Sequence, residues 1–310
     1  MDFAAINPLI FFSTMVAASI PVLLAALGEL VVEKSGVLNL GVEGMMIIGA
    51  VCGFMTIYHT GSPLFGVLAS IIAGGLLALV FGILTQVLHS NQVATGLALT
   101  LFGLGLSALL GQPYAGIKPP TFPKPDFGFL GDLPVLGQLF FKYDYLVYVA
   151  FILVVGVSYF LNRTRGGLIL RSIGENHDAA HALGYHVVRV RLAAIIFGGG
   201  CAGLGGGYLA MIRVPQWTEG MTAGVGWIAL ALVVFASWRP YRVILGAFLF
   251  GGVTLLQLNL QAVGIKVNPA YLSMAPYLIT IVALVVISGS SNRLSTQAPG
   301  SLGRLFHKTM

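Results

Sequence analysis

The sequence predicts an all-α, polytopic membrane helix bundle of about nine spans, and three observations carry that expectation. First, 57% of the 310 residues are hydrophobic and only 8% are charged, against roughly 25% charged in soluble domains. Second, the apolar residues come in runs near the roughly 20 needed to cross a bilayer core. Third, the chain holds 41 glycines and 14 prolines. Soluble helices would be broken by that content, whereas packed membrane helices re-satisfy the freed backbone groups and approach closely over small residues.

Taken in order, the runs place spans at 8 to 32, 37 to 58, 63 to 88, 93 to 111, 144 to 162, 190 to 212, 224 to 238, 242 to 262 and 271 to 289. The first run is too long for a cleaved leader and has no basic region before it, so it is a retained span. Residues 112 to 143 carry Pro113, Pro119, Pro120, Pro123, Pro125 and Pro134. They form an external loop that cannot be helical throughout. Residues 163 to 190 form a cytoplasmic loop, and the polar tail from 290 to 310 is expected to be cytoplasmic and mobile. All of this makes one transmembrane domain, 1 to 310. Cys52 and Cys201 both lie in apolar runs, which supports neither a disulfide framework nor a thiolate metal site.

Orientation follows from the arginines, because basic loops are retained in the cytoplasm. Arg163, Arg165, Arg171, Arg189 and Arg191 fall between the fifth and sixth spans. Putting that loop inside also puts Lys34, Arg239, Arg242, Arg293, Arg304 and Lys308 inside, eleven of the 16 basic residues. Nine spans then leave the amino terminus outside. The net charge of +6 reflects these loops, and no nucleic acid partner is expected.

An internal repeat of opposite orientation is visible. Leu40-Gly41-Val42-Glu43-Gly44-Met45-Met46-Ile47-Ile48 in the second span resembles Ala223-Gly224-Val225-Gly226-Trp227-Ile228-Ala229-Leu230-Ala231 in the seventh. Glycine-interrupted segments at corresponding places in inverted halves point to a transport site at mid-membrane.

The stretch from Glu29 to Met46 interrupts a hydrophobic hairpin with three carboxylates, a lysine and an asparagine. Each buried charge there needs a partner, a wet cavity or an interface. Glu33 and Lys34 mark a cytoplasmic turn. Asn39 and Glu43, four apart, would share a helical face. Glu43 either braces backbone groups or lines the pathway. Asn91 and Thr95, with Gln92, open the fourth span as caps or as pathway residues. Trp217 and Trp238 stand where interfacial aromatic anchors are expected. Trp227 lies deeper, suited to stacking on a base or to core packing.

Ser35-Gly36-Val37-Leu38-Asn39-Leu40-Gly41-Val42-Glu43-Gly44 resembles the signature of permease subunits in ABC importers of the branched-chain amino acid, simple sugar and nucleoside group. The resemblance runs from about Pro8 to Ile287. The sugar branch usually has aspartate where Asn39 stands, and the amino acid branch has a histidine-glycine-glutamate ending absent here. The Asn-Leu-Gly-x-Glu-Gly form is most similar to the nucleoside branch. The resemblance implies a bacterial inner-membrane location and a small-molecule solute; the matching glycine breaks of the second and seventh spans place Asn39, Glu43 and Trp227 beside its path, with Asn91 and Thr95 as further path candidates at the start of the fourth span. It implies four kinds of neighbour: an ATP-binding cassette subunit, a second permease subunit, an external solute-binding protein and membrane lipid.

In the cytoplasmic loop, Ser172-Ile173-Gly174-Glu175 matches a capping box, Asn176 is a competing cap, and Gly184 suits a helix-ending left-handed position. A helix of about two turns is expected between them. The resemblance implies that this is the coupling helix docking on the ATPase, through Gly174, Glu175, Asn176, Ala179, Ala180, Leu183 and Gly184. A helix lying on anionic lipid is the alternative. His177-Asp178-Ala179-Ala180-His181 mimics a helical zinc motif, yet no third ligand or cleft accompanies it, so no metal is expected. The chain has no Gly-Lys pair, hence no phosphate-binding loop. It is therefore no enzyme and needs no cofactor of its own; ATP and Mg belong on the partner ATPase. An ion-coupled secondary transporter remains the competing class.

Overall fold

The computed structural model describes residues 8–131, 133–262, 274, 275, 277, 278, 281, 282, 285 and 298–307. Ten α-helices run through them: α1 Pro8–Lys34, α2 Val42–Thr60, α3 Pro63–Gly82, α4 Gln92–Gly111, α5 Tyr145–Arg163, α6 Arg165–Glu175, α7 His177–Ala182, α8 Val187–Tyr208, α9 Val225–Phe235 and α10 Pro240–Ala262. Helices α3 and α8 each end in a π-helical turn, Ile83–Val87 and Leu209–Arg213. No strand occurs among the described residues.

Among the described residues, seven helices are long and apolar enough to cross a membrane: α1 to α5, α8 and α10. The seventh expected span, 224 to 238, is realised by α9, whose 11 residues rise only roughly 16 Å. Of the ninth, 271 to 289, Met274, Ala275, Tyr277, Leu278, Ile281, Val282 and Val285 are described and helical. The rest of that expectation lies outside the described residues.

Helix α8 occupies the centre, packed on α1, α2 and α3. Its glycine run makes this possible, since no apolar driving force separates helix from lipid and close backbone approach must supply the packing. A methyl group added at Gly203 would overlap the backbones of Ser70 and Gly74, and one at Gly206 would overlap the carbonyl of Met46.

Three boundaries differ from expectation. Helix α2 begins at Val42, not 37, because the chain from Ser35 to Gly41 leaves helical geometry, with Gly36 at φ +87°. The loop of residues 163 to 190 contains two helices, not one. Thr164 accepts from Gly167 N at 3.1 Å to start α6, so Ser172 lies inside a helix and binds Ile169 O instead of capping. The tail is not free over residues 298–307. Gly303 N donates to Gly36 O at 3.1 Å and Ser301 N to Gly174 O at 2.8 Å.

Candidate functional site

The centre of the site is the non-helical segment between α1 and α2. The amides of Ser35, Gly36 and Val37 bond back to carbonyls at the end of α1, and for the residues that follow side chains of α1 and α4 supply partners. Glu29 of α1 accepts from Asn39 N at 3.2 Å and from Asn39 Nδ2 at 3.4 Å. Gln92 of α4 accepts from Leu38 N at 2.8 Å. Thr100, also of α4, donates to Leu40 O at 3.1 Å. Asn39 closes a tight turn by accepting from Gly41 N at 3.0 Å. It is fully buried.

Glu43, in the first turn of α2, reaches a different element. Its Oε1 accepts from Thr222 Oγ1 at 2.6 Å and from Gly224 N at 2.9 Å, and its Oε2 accepts from Gly226 N at 2.6 Å. Gly224 takes φ +86° immediately before α9. Glu43 therefore satisfies amides that the start of α9 leaves open, as a cap side chain would, but from another helix. The two helix amino ends abut: a Cβ at Gly226 would meet the Glu43 backbone. Two positive dipole ends in contact favour a carboxylate between them.

The expected path residues do not share one environment. Asn39 precedes α2, so the four-residue spacing to Glu43 does not make a helical face; Gly41 intervenes as the cap of α2. Glu43 is buried in the clamp just described. Asn91 is exposed and caps α4 by accepting from Ala94 N at 3.0 Å. Thr95 is half-buried and shares a hydrogen bond with Ser90 at 2.9 Å. Trp227 is half-buried on α9, one residue beyond Gly226.

Glu33 and Trp238 meet where α1 ends and the α9–α10 turn begins. Both are buried, and Trp238 Nε1 donates to Glu33 Oε2 at 2.5 Å, tying the α9–α10 turn to α1. Trp217 is buried too, beneath Gly111.

At the end of the bundle that carries α6 and α7, Arg191 is the largest fully buried side chain. Its Nε donates to Ser35 O at 3.1 Å, and its Nη1 donates to Arg304 O at 3.1 Å and Gln86 Oε1 at 3.3 Å. Nη2 lies 3.2 Å from His177 Nδ1. Burial, then the Arg191 charge, hold the His177 imidazole below its ordinary value of 6.5. The neutral ring accepts from Arg191.

The seven residues expected to couple to an ATPase divide between two faces of this unit. Asn176 caps α7 through Asp178 N at 3.1 Å and Ala179 N at 3.0 Å. Gly184 takes φ +87° after α7. Ala179, Leu183 and Gly184 are exposed, Leu183 by 77%. Glu175 is exposed but accepts from Gly300 N at 3.3 Å. Gly174 packs against the Lys34 carbonyl, and Ala180 is buried among Ile173, Val187 and Phe306. Ala180 therefore faces its own chain, not outward. The ring of Phe306, from the tail, lies edge-on to both His177 and His181.

Sequence reasoning missed Glu29, Gln92, Thr222, Arg191 and the tail as partners. Glu29 had a signal, a carboxylate deep in an apolar run ten residues before Asn39. Arg191 had one as well, an arginine followed by 21 residues without an acid or base.

Comparison with known proteins gives one answer. Residues 11–286 match the family described as branched-chain amino acid transport system, permease component. A putative glucose ABC transporter permease of Haloferax volcanii is 39% identical, over 96% of this chain and 97% of its own. A guanosine ABC transporter permease of Bacillus subtilis is 33% identical, over 94% of this chain and 96% of its own. A nucleoside ABC transporter permease of Lactococcus lactis is 31% identical, over 91% and 93%. No solved structure matches the chain.

Proposed function

Since the chain belongs to the family of branched-chain amino acid transport permease components, a family of membrane subunits that are not themselves ATPases, we propose that it forms half of the pathway of an ABC importer for nucleosides. A second permease subunit makes the other half. ATP and Mg bind a partner ATPase, and an external solute-binding protein delivers the solute. The observation that carries the nucleoside reading is near-full-length likeness to two nucleoside permeases, at 33% and 31% identity. The Asn39-Leu40-Gly41-Val42-Glu43-Gly44 form agrees with it.

The 39% likeness to a putative glucose permease favours a second reading, a simple sugar. Both solutes are neutral and rich in hydroxyls, so a path with few charges suits either. They differ in the base, which asks for an aromatic face.

The mechanism rests on two joined units. The α2 and α9 amino ends, locked by Glu43, act as one body; their abutting starts support reading 40–48 and 223–231 as an inverted pair. Helices α6 and α7 lie in the cytoplasm in this reading, with the amino terminus outside. ATPase closure pushes on the exposed face of α7 around Ala179 and Leu183, and the shift reaches α1 and α8 through Gly174 and Arg191. Uptake of labelled guanosine and of labelled glucose by cells expressing the assembled transporter tests the reading. Guanosine uptake that excess glucose leaves unchanged is the expected result. Glucose uptake alone would transfer the chain to the sugar reading, and uptake surviving loss of the ATPase subunit would make it an ion-coupled transporter.

A further inference from the structure

Beside α6, at the same end of the bundle as Arg191, a cavity of about 630 Å³ opens between the ends of α1 and α5 and the turn into α10. Among the described residues, three basic side chains line it, Lys34, Arg171 and Arg239, against one carboxylate, Glu175. A second carboxylate, Glu33, stands behind the wall and is already bonded to Trp238. Even with Glu33 included, three cations face two anions. Glu175 also spends an oxygen on Gly300 N. The Nε of Arg171 is shielded from solvent and has no hydrogen-bond partner.

Such an excess of like charge favours an anion. Like charges at close range repel more strongly as water is excluded, and a buried guanidinium donor without an acceptor costs the desolvation of that group. The first residues of α10, Pro240 and Tyr241, also line the cavity, so the positive end of a 23-residue helix adds to its field. Beside the polar floor stand large exposed apolar side chains. Leu168 is 60% exposed and Tyr241 is 56% exposed.

We propose that this cavity binds a phosphate-bearing anion, supplied by an anionic phospholipid whose headgroup meets Arg171, Arg239 and Lys34 while its chains lie over Leu168 and Tyr241. A soluble phosphate ester offers the same headgroup chemistry without the chains. Basic pockets between membrane helices take anionic headgroups in this manner, each cation contributing about 1 kcal/mol. The lipid sits between α6 and the α9–α10 turn, so its occupancy bears on α6, which Glu175 ties to the tail, and on the turn, which Trp238 ties to α1. The site is independent of which solute the transporter carries.

Native mass spectrometry of the assembled transporter, titrated with phosphatidylglycerol, phosphatidylcholine or inorganic phosphate, tests this. Phosphatidylglycerol should bind preferentially, and Arg171→Gln with Arg239→Gln should weaken it about tenfold or more. Ser172→Asp, which adds a negative charge to the lining and removes no cation, should weaken it in the same direction and serves if the double variant fails to assemble. Equal binding of both lipids, or unchanged phosphatidylglycerol affinity in the variants, overturns the proposal. Arginine-dependent binding of inorganic phosphate without lipid preference assigns the cavity to a soluble ester and overturns the lipid source.

Discussion

The Glu43 carboxylate and the Gly226 amide lie 2.6 Å apart although 183 residues separate them. One oxygen pair thus holds the starts of two helices, α2 by its own first turn and α9 by three donated hydrogen bonds. Removing the side chain leaves buried donors without an acceptor, at about 1–3 kcal/mol each. Glu43→Ala should therefore cost on the order of 3 kcal/mol or more, read as a lower unfolding midpoint in detergent. Glu43→Gln keeps one oxygen but turns an N–H₂ toward a donor, so it should fall between wild type and Ala. A Gln variant as stable as wild type would mean that shape, not charge, holds α9.

The buried place of Ala180 gives a paired prediction. It packs among Ile173, Val187 and Phe306, so Ala180→Glu should unfold the α6–α7 unit by burying an unpaired charge. Leu183→Glu, on an exposed position, should leave stability within about 0.5 kcal/mol of wild type while abolishing solute-stimulated ATP hydrolysis. Normal stimulation in the Leu183 variant would remove this face from coupling.

What could be read from the sequence follows from what the solvent dictates. Lipid demands long apolar runs, so α1, α3, α4, α5 and α10 stand close to where hydrophobicity puts them. The start of α2 was not legible, because Gly36 and Gly41 fit equally a packed helix and a break; the bonds from Glu29, Gln92 and Thr100 decide for the break. Local caps at Asn91 and Asn176 were legible, since their acceptors and donors lie within three residues. The inward face of α7 was not, because Phe306 fills it from 126 residues beyond Ala180. Glu43 was legible as a carboxylate needing a partner, but not as the cap of α9.

Acid should loosen the α7 unit. The folded protein holds His177 below its ordinary imidazole value, so the unfolded chain binds the proton more readily. Stability is then complete above that ordinary value and falls as pH drops from it toward the depressed one. The protection of α7 amides, taken relative to their intrinsic exchange rate at each pH, should fall between neutral pH and about pH 5. His177→Gln, neutral throughout and able to accept from Arg191, should flatten that dependence. A wild-type profile as flat as the variant's would show that Arg191 and His177 do not oppose one another.

Orientation can be read by chemical labelling. With basic loops retained inside, a cysteine at Gly116 should react with an impermeant thiol reagent applied to whole cells, and one at Tyr185 should react only after lysis. Both positions are exposed, whereas native Cys201 is buried and Cys52 half-buried, so the background should be low. Labelling of Tyr185→Cys alone in whole cells would invert the topology.

The solute path separates two residues that the sequence grouped together. Asn39 is fully buried and bonded to Glu29 and Gly41, so Asn39→Ala should lower stability and uptake together, through the turn that it closes. Trp227 is half-buried on α9, directly after the amide that Glu43 fixes. Its ring is positioned by the clamp but not consumed by it. If the ring stacks on a base, Trp227→Ala should raise the half-saturating nucleoside concentration of uptake about tenfold, consistent with a stacking contribution of ~1–3 kcal/mol, with the unfolding midpoint little changed. Trp227→Phe should recover most of that loss, since a smaller aromatic face remains. The two substitutions thus split a bracing role from a contacting one, because only a contact is rescued by another aromatic ring. Equal uptake in wild type and Trp227→Ala at matched expression would exclude this ring from the path and leave the nucleoside to be recognised by other residues.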